Sequence, residues 1–238
     1  MTAIFYWPDY ATIRKARFYV QALSRGYESQ LTRQGLYERL AGERWTAELE
    51  CVPLTRPGAS QLRAWLSKID GRTGAIAMTD FTYQGPAGAI SYTLSDGTLN
   101  PAILYGFSDS TVFTDVTKWA DLPAVVTLGA QTAPLDDSVQ LAGLPVSLAG
   151  ALAEGDLIQI GHEFEATQLV QVVAGGNADA TGALRVTVRP RIRAAFLAGT
   201  CVYLTAPKCV MRLADDDQGG IAFDLDQATH AVKLVEAI

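Results

Sequence analysis

Between residues 14 and 54 apolar and polar side chains alternate along the chain. Phe18, Val20 and Ala22 are interleaved with Tyr19 and Gln21. In "RWTAELECVPL", Trp45, Ala47, Leu49 and Cys51 share one face, with Thr46, Glu48 and Glu50 on the other. A period of two sends successive side chains to opposite sides of a strand, so this region predicts a sheet with one face on a core and one on water or a partner. The period then changes once. In "RPGASQLRAWLSKIDG", Ala59, Leu62, Trp65, Leu66 and Ile69 fall on one helical stripe, with Pro57 ahead of it and Gly71 as a stop. The spacing predicts a helix over 59–69 lying across a sheet with Trp65 and Leu66 buried, followed by a strand in "GAIAMTDF".

From about residue 83 the texture is different. Short β runs ("AISYTL", "AILYGF", "VVTLG", "VQLAGL", "DLIQIG", "QLVQVV", "LRVTVRP", "CVYLTAP") are punctuated by Gly, Pro, Ser and Asp. Turn signals every ~8–12 residues predict a barrel or sandwich. The last segment offers two or three more strands around the acidic turn Asp215–Asp217, too few to fold alone, while the N-terminal sheet has edges to give them. The expected architecture is therefore mainly β. Residues 1–82 and 206–238 form one discontinuous β-sandwich with a short amphipathic helix. Residues 83–205 form an inserted β-barrel or galectin-like/OB-like domain. In this layout Phe223 and Leu225 meet residues 14–54.

Composition narrows the classes. At 238 residues, with 49 % apolar and 18 % charged, the chain is globular and large enough for one or two cores. No run approaches the ~18 apolar residues of a membrane helix, and "MTAIFYWPDYATIRKARF" lacks the apolar core of a signal peptide, so synthesis in the cytoplasm is expected. Cys51, Cys201 and Cys209 are odd in number and have no CxxC spacing, which predicts buried apolar thiols. A net charge of −6 argues against a protein whose main work is gripping nucleic acid. The cluster Arg185, Arg189, Arg191, Arg193 is a local exception whose spacing suits the solvated face of a strand.

The search for chemistry finds little. Neither His162 nor His230 has a ligand-spaced partner, and there is no GxSxG, P-loop or GxGxxG. His162 in "GHEFE" lies near Glu163 and Glu165, an arrangement better read as a solvated turn than as a general acid or base. Asn177, Asp179, Thr181 and Gly182 imitate the opening of a calcium loop. The twelfth position is Val188 rather than a bidentate Glu, and period-2 strands flank the segment, which makes it a hairpin turn. The run Asp215–Asp217 reads as a solvated loop. No cofactor, metal or catalytic residue is expected, and the chain is read as a non-enzyme.

Two stretches carry a family likeness. The first is "YESQLTRQGLYERLAGERWTAELECVPLTRPGASQLRAWLSKIDGRTGAIAM". It has the strand opening "GERW" and a proline-bracketed helix running out through "IDGRTG". The second, "LAEGDLIQIG…LVQVV…NADATGALRVTVRPRIRAAFLAGTCVYLTAPKCVMRL", has "GD-x-I-x-I", "AD-x-x-G", "V-x-P-x-x-R" and "P-x-x-x-x-R-L" in order. Over roughly 28–78 and 152–213 the chain resembles the distal tail and minor tail proteins of long-tailed, siphovirus-like phages. Residues 81–135 carry none of the motifs.

The resemblance implies a ring-forming β-sandwich, commonly a hexamer, in the tail tip of the virion between the tail tube protein and the baseplate hub. DNA is then only a passing cargo, and no membrane insertion is implied. Two-faced strands, a short apolar helix and terminal aromatics also fit a chain that buries its surfaces against copies of itself. The interface candidates are Trp7 and Tyr10. The candidates for an acidic lumen wall are Glu43, Glu48 and Glu50. A competing class is a carbohydrate- or receptor-binding module presenting Tyr83, Tyr92, Tyr105 or Trp119. A third is a hydrolase working through carboxylates and His162.

Overall fold

The computed structural model describes residues 3–28, 30–33, 35–52, 54–83, 85–88, 126–162, 166–216, 222–224 and 227–237. Tyr92, Tyr105, Trp119, Glu163, Glu165, Asp217 and Leu225, and the side chain of Phe223, lie outside what is described, as do the runs "AISYTL" and "AILYGF". The fold is mainly β, with one α-helix among the described residues. The chain divides into two compact units. One comprises Met1–Tyr83, Glu163–Thr167 and Lys208–Ile238, the other Gln84–His162 and Gln168–Pro207. The divisions at 83/84 and 207/208 stand beside the expected 82/83 and 205/206.

The first unit is built on a six-stranded sheet ordered β1-β4-β11-β14-β3-β2. Its strands are β1 (Ile4–Tyr6), β2 (Ile13–Glu28), β3 (Gly35–Cys51), β4 (Ala75–Thr79), β11 (Lys208–Leu213) and β14 (Ala231–Glu236). The last segment does join the N-terminal sheet: β14 lies antiparallel to β3, Leu234 opposite Ala47, and β11 lies antiparallel to β4. Trp45, Ala47, Leu49 and Cys51 are buried together with Cys209, Met211, Leu213, Val232 and Leu234, as the alternation predicts.

Helix α1 (Arg56–Ile69) starts three residues before the expected 59, because Pro57 is accommodated in its first turn, where the missing N–H is not needed. Its stripe Ala59, Leu62, Leu66 and Ile69 is buried. Trp65 is only half-buried and meets Trp7 edge-on, with ring centroids 5.4 Å apart. The stop is Asp70 in left-handed geometry, one residue before the expected glycine. Alongside α1 stands a two-stranded ribbon of β12 (Ala222–Asp224) and β13 (Gln227–Thr229).

The second unit is a barrel. Its strands β5 (Thr127–Leu128), β6 (Ser138–Ala142), β7 (Leu157–Ile160), β8 (Gln168–Ala174), β9 (Leu184–Arg189) and β10 (Val202–Tyr203) are ordered β10-β7-β8-β9-β6-β5. The two ends meet through a Thr127–Cys201 bridge and the bonds Val202 N–H to Val126 O (2.8 Å) and Leu128 N–H to Thr200 O (2.9 Å). Closure removes the open edges that short strands would otherwise expose. The interior is filled by Leu141, Ile158, Ile160, Val170, Val186 and Val188 with their neighbours. Asp156 is buried at the barrel's end, and its carboxylate accepts from the N–H groups of Ala87 (2.6 Å), Gly88 (3.3 Å) and Ala153 (2.8 Å), tying two loops together.

Candidate functional site

β2 and β3 are 16 and 17 residues long and outrun the sheet that holds them. The pairing of β14 to β3 covers Thr46–Glu50, and from Leu23–Glu28 and Gly35–Leu40 the two strands pair, among the described residues, only with each other. Six residue pairs at ~3.3 Å rise make a free ribbon about 20 Å long. Its register places Leu23 against Leu40, Arg25 against Glu38, Gly26 against Tyr37 and Tyr27 against Leu36.

The apolar content of this arm is exposed: Tyr27 at 74 %, Tyr37 at 72 % and Leu31, in the connecting turn, at 96 %. A two-stranded ribbon alone is marginal in water, and apolar side chains so exposed on it gain little from burial within the chain. Tyr37 is held in place locally. A Cβ on Gly26 or on Gly35 would stand 2.6 Å from its ring, so the ring lies across both glycines. The sequence reading recognised these strands but not the arm, because the alternation is the same whether or not a third strand is alongside. The available signal was length, since both strands exceed the ordinary 3–10 residues.

At the base of the arm the sheet's outer face carries a cross-strand ion network. Glu48 accepts from Tyr19 Oη (3.1 Å) and faces Lys233 and Arg17, each at 3.4 Å. Glu50 pairs with Arg14 at 2.5 Å. The Tyr19 hydroxyl, then Lys233 and Arg17, hold the Glu48 carboxyl below the usual glutamate range. A shallow groove of about 460 Å³ runs over this face, lined by Lys15, Arg17 and Lys233 and by Glu48, Glu50 and Asp215.

Of the candidates for an acidic wall, Glu43 is buried at 5 % exposure rather than on the polar face, while Glu48 is paired with Arg17 and Lys233 opposite it and Glu50 with Arg14, which lies in a bulge of β2. Glu236 is buried too, and its Oε2 accepts from Trp45 N–H at 2.9 Å, continuing the β14–β3 ladder with a side chain.

Of the terminal aromatics, Tyr10 is exposed, while Trp7 is half-buried. The Trp7 indole N–H donates to Ala11 O (2.7 Å) and its ring abuts Trp65, so it wedges the N-terminal loop against the helix rather than presenting an open anchor. Tyr83, the one described member of the sugar-platform set, is half-buried.

The remaining motifs act within their own loops. Asp179 Oδ1 accepts from Thr181 N–H (2.7 Å), Thr181 Oγ1 (2.6 Å) and Ala183 N–H (2.9 Å), and these bonds, the Thr181 hydroxyl first, lower its carboxyl's pKa. Asn177 Oδ1 accepts from Gly150 N–H. The calcium-like oxygens thus organise a turn. Asp216 accepts from Arg72 N–H (2.9 Å), closing the turn after α1. His162 is half-buried and meets Tyr203 edge-on. Cys51 and Cys209 are buried as expected, and burial pushes the Cys51 thiol up to about 11, but Cys201 is exposed. No group of three or more His, Cys, Asp or Glu side chains suited to a metal ion occurs among the described residues. No protein-family model and no curated protein matches the chain.

Proposed function

We propose that this chain is a structural subunit of a phage tail tip, a distal tail protein, and that it works by assembling into a closed ring. The observation that carries the reading is the β2–β3 arm: a ribbon of about 20 Å with Tyr27, Leu31 and Tyr37 in solvent, attached to a sheet whose last strand, β2, is an edge. A neighbouring copy supplies what the arm lacks within its own chain, namely a surface that covers its apolar side chains and strand partners for its edge. Contact between different patches on successive copies is heterologous, and a heterologous contact closes into a ring when its rotation divides a full turn. The resemblance of the motif order to tail-tip proteins supports the same reading and suggests six copies, with the tail tube protein on one side and the baseplate hub on the other.

Native mass spectrometry of the purified chain tests this. The expected result is a ring of defined copy number. A variant with residues 24–38 replaced by a two-residue turn should remain folded and run as a monomer. A full-length chain that stays monomeric up to high micromolar concentration would overturn the proposal, as would an arm-less variant that still forms the ring.

A further inference from the structure

The outward positions of β9 and the segment after it form a stripe of positive charge. Inward-facing Leu184, Val186, Val188, Pro190 and Ile192 are buried, so Arg185, Thr187, Arg189, Arg191 and Arg193 all point outward. Alternate strand positions are about 7 Å apart, so Arg185 and Arg189 stand roughly 13 Å apart on β9, and Arg191 and Arg193 follow beyond the strand's end. This stretch of nine residues contains no acidic residue in a chain of net charge −6.

Most of the stripe is not neutralised as the arginines of the first unit are. Among the described residues Arg185, Arg189 and Arg191 make no ion pair. Arg185 donates to Ser138 Oγ (2.9 Å), and Arg189 reaches only the Val188 carbonyl at 3.5 Å. By contrast Arg14 and Arg17 each face a glutamate across a strand. Among the described neighbours with carboxylates, the Asp136 side chain accepts from Ala133 N–H, and the Asp137 carbonyl accepts from Val188 N–H.

The end of the stripe is also held rigidly. The buried side chain of Gln168 donates from Nε2 to Arg191 O (2.8 Å) and accepts at Oε1 from Arg193 N–H (2.9 Å), acting as a strand partner for these two residues. On the other side Ile192 exchanges bonds with Leu135 N–H (2.6 Å) and Asp136 O (2.9 Å). A buried polar clasp on both sides fixes the spacing of the charges in advance, which lowers the ordering cost of binding.

We propose that this stripe is a binding site for a linear phosphodiester polymer without bases, of the polyol-phosphate kind, whose successive phosphates engage successive arginines. Guanidinium groups suit phosphate because their N–H forks match its oxygens in pairs. The outward neighbours on β6 and β8 are Ser138, Gln140 and Gln171, which add hydrogen-bond donors and no aromatic face for a base to stack on. The acidic whole-chain balance likewise disfavours a general nucleic-acid surface. The inference rests on the second unit alone and is independent of ring assembly.

The test uses the full chain and a fluorescent ten-unit abasic deoxyribose-phosphate oligomer in an anisotropy titration across salt concentrations. Binding is expected, with log Kd rising with log salt. Arg189→Gln with Arg191→Gln should lower the salt slope by about 1.4, roughly 0.7 per lost contact, and weaken binding at least tenfold at low salt. The control pair Arg63→Gln and Lys68→Gln, exposed on α1 in the first unit, removes the same charge and should change Kd less than twofold. Poly(glycerol phosphate) should compete with the probe. Four results would overturn the proposal. These are no binding of the oligomer at low salt, equal weakening by the control pair, heparin binding as tight as the abasic oligomer, or a dT10 oligonucleotide binding more than tenfold tighter, which would mean base recognition. Thermal melts of each variant separate lost binding from lost folding.

Discussion

Asp156 shows what one side chain does when it is the only acceptor for several donors. It is 1 % exposed and satisfies three backbone N–H groups from two loops. Asp156→Ala leaves the Gly88 N–H buried without a partner, at a cost of about 1–3 kcal/mol, and loosens the part-buried donors of Ala87 and Ala153, which water can reach. Urea unfolding of the variant should show a loss of about 1–3 kcal/mol. Asp179 is the exposed counterpart. Its folded-state pKa is depressed by the bonds from Thr181 and Ala183. Its contribution to stability is therefore present above the unfolded aspartate pKa and is lost as pH falls through the lower folded value. An NMR titration should find its midpoint below that of an ordinary aspartate; a midpoint at or above the ordinary value would mean the turn is not formed in solution. The thiols are ordered by access. Maleimide at neutral pH should label Cys201 alone in the native protein, because Cys209 is buried and Cys51 is both buried and raised to about 11. Labelling of all three under native conditions would contradict the packing of β3 and β11.

At the scale of the element, two glycines illustrate opposite costs. Gly182 sits at φ +75° in the β8–β9 turn, and an added Cβ would collide with the Leu144 carbonyl, a backbone atom that cannot step aside. Gly182→Ala should lower stability by about 1–3 kcal/mol, seen as an earlier melt of the barrel. Gly26 has no such strain; its Cβ would meet the exposed ring of Tyr37. Gly26→Val should therefore change monomer stability by no more than about 0.5 kcal/mol. It should nonetheless weaken ring assembly, since the ring of Tyr37 is displaced from its seat. The ion network on β2, β3 and β14 behaves as a unit. Glu48→Lys sets a third cation between Arg17 and Lys233, and the melting temperature should fall at low salt and recover as salt is raised. A loss insensitive to salt would point to packing instead.

At the scale of the whole molecule, the two units bury their apolar residues by different devices. The first relies on a sheet and one helix and leaves an edge and an arm in solvent. The second closes on itself and carries the arginine stripe on a rigid wall. The two proposals therefore place assembly and ligand binding on separate units. Removing the arm should abolish rings without touching phosphodiester binding, and neutralising the stripe should do the reverse.

The alternation in 14–54, the helical stripe and the turn residues were legible in the sequence because each depends on neighbours within a few positions. A period of two or 3.6 sorts side chains to faces regardless of what covers them, which is why Trp45, Ala47, Leu49 and Cys51, and Leu62 with Leu66, were identified as core. Partners distant in sequence decided the rest. Glu48 and Glu50 lie on the polar face as expected, but only the pairing of distant strands sets Arg17 and Lys233 opposite Glu48, and only the bulge in β2 brings Arg14 to Glu50. Glu43 has the sequence context of a solvated glutamate and is buried by the fold. The arm looks like any strand pair until β14 is seen to pair no further along β3 than Thr46. Closure of the barrel depends on Thr127 and Cys201, 74 positions apart, meeting at one bridge. Local patterning states which way a side chain points; which partner stands there is a matter of long-range pairing, and pairing is a property of the tertiary structure alone.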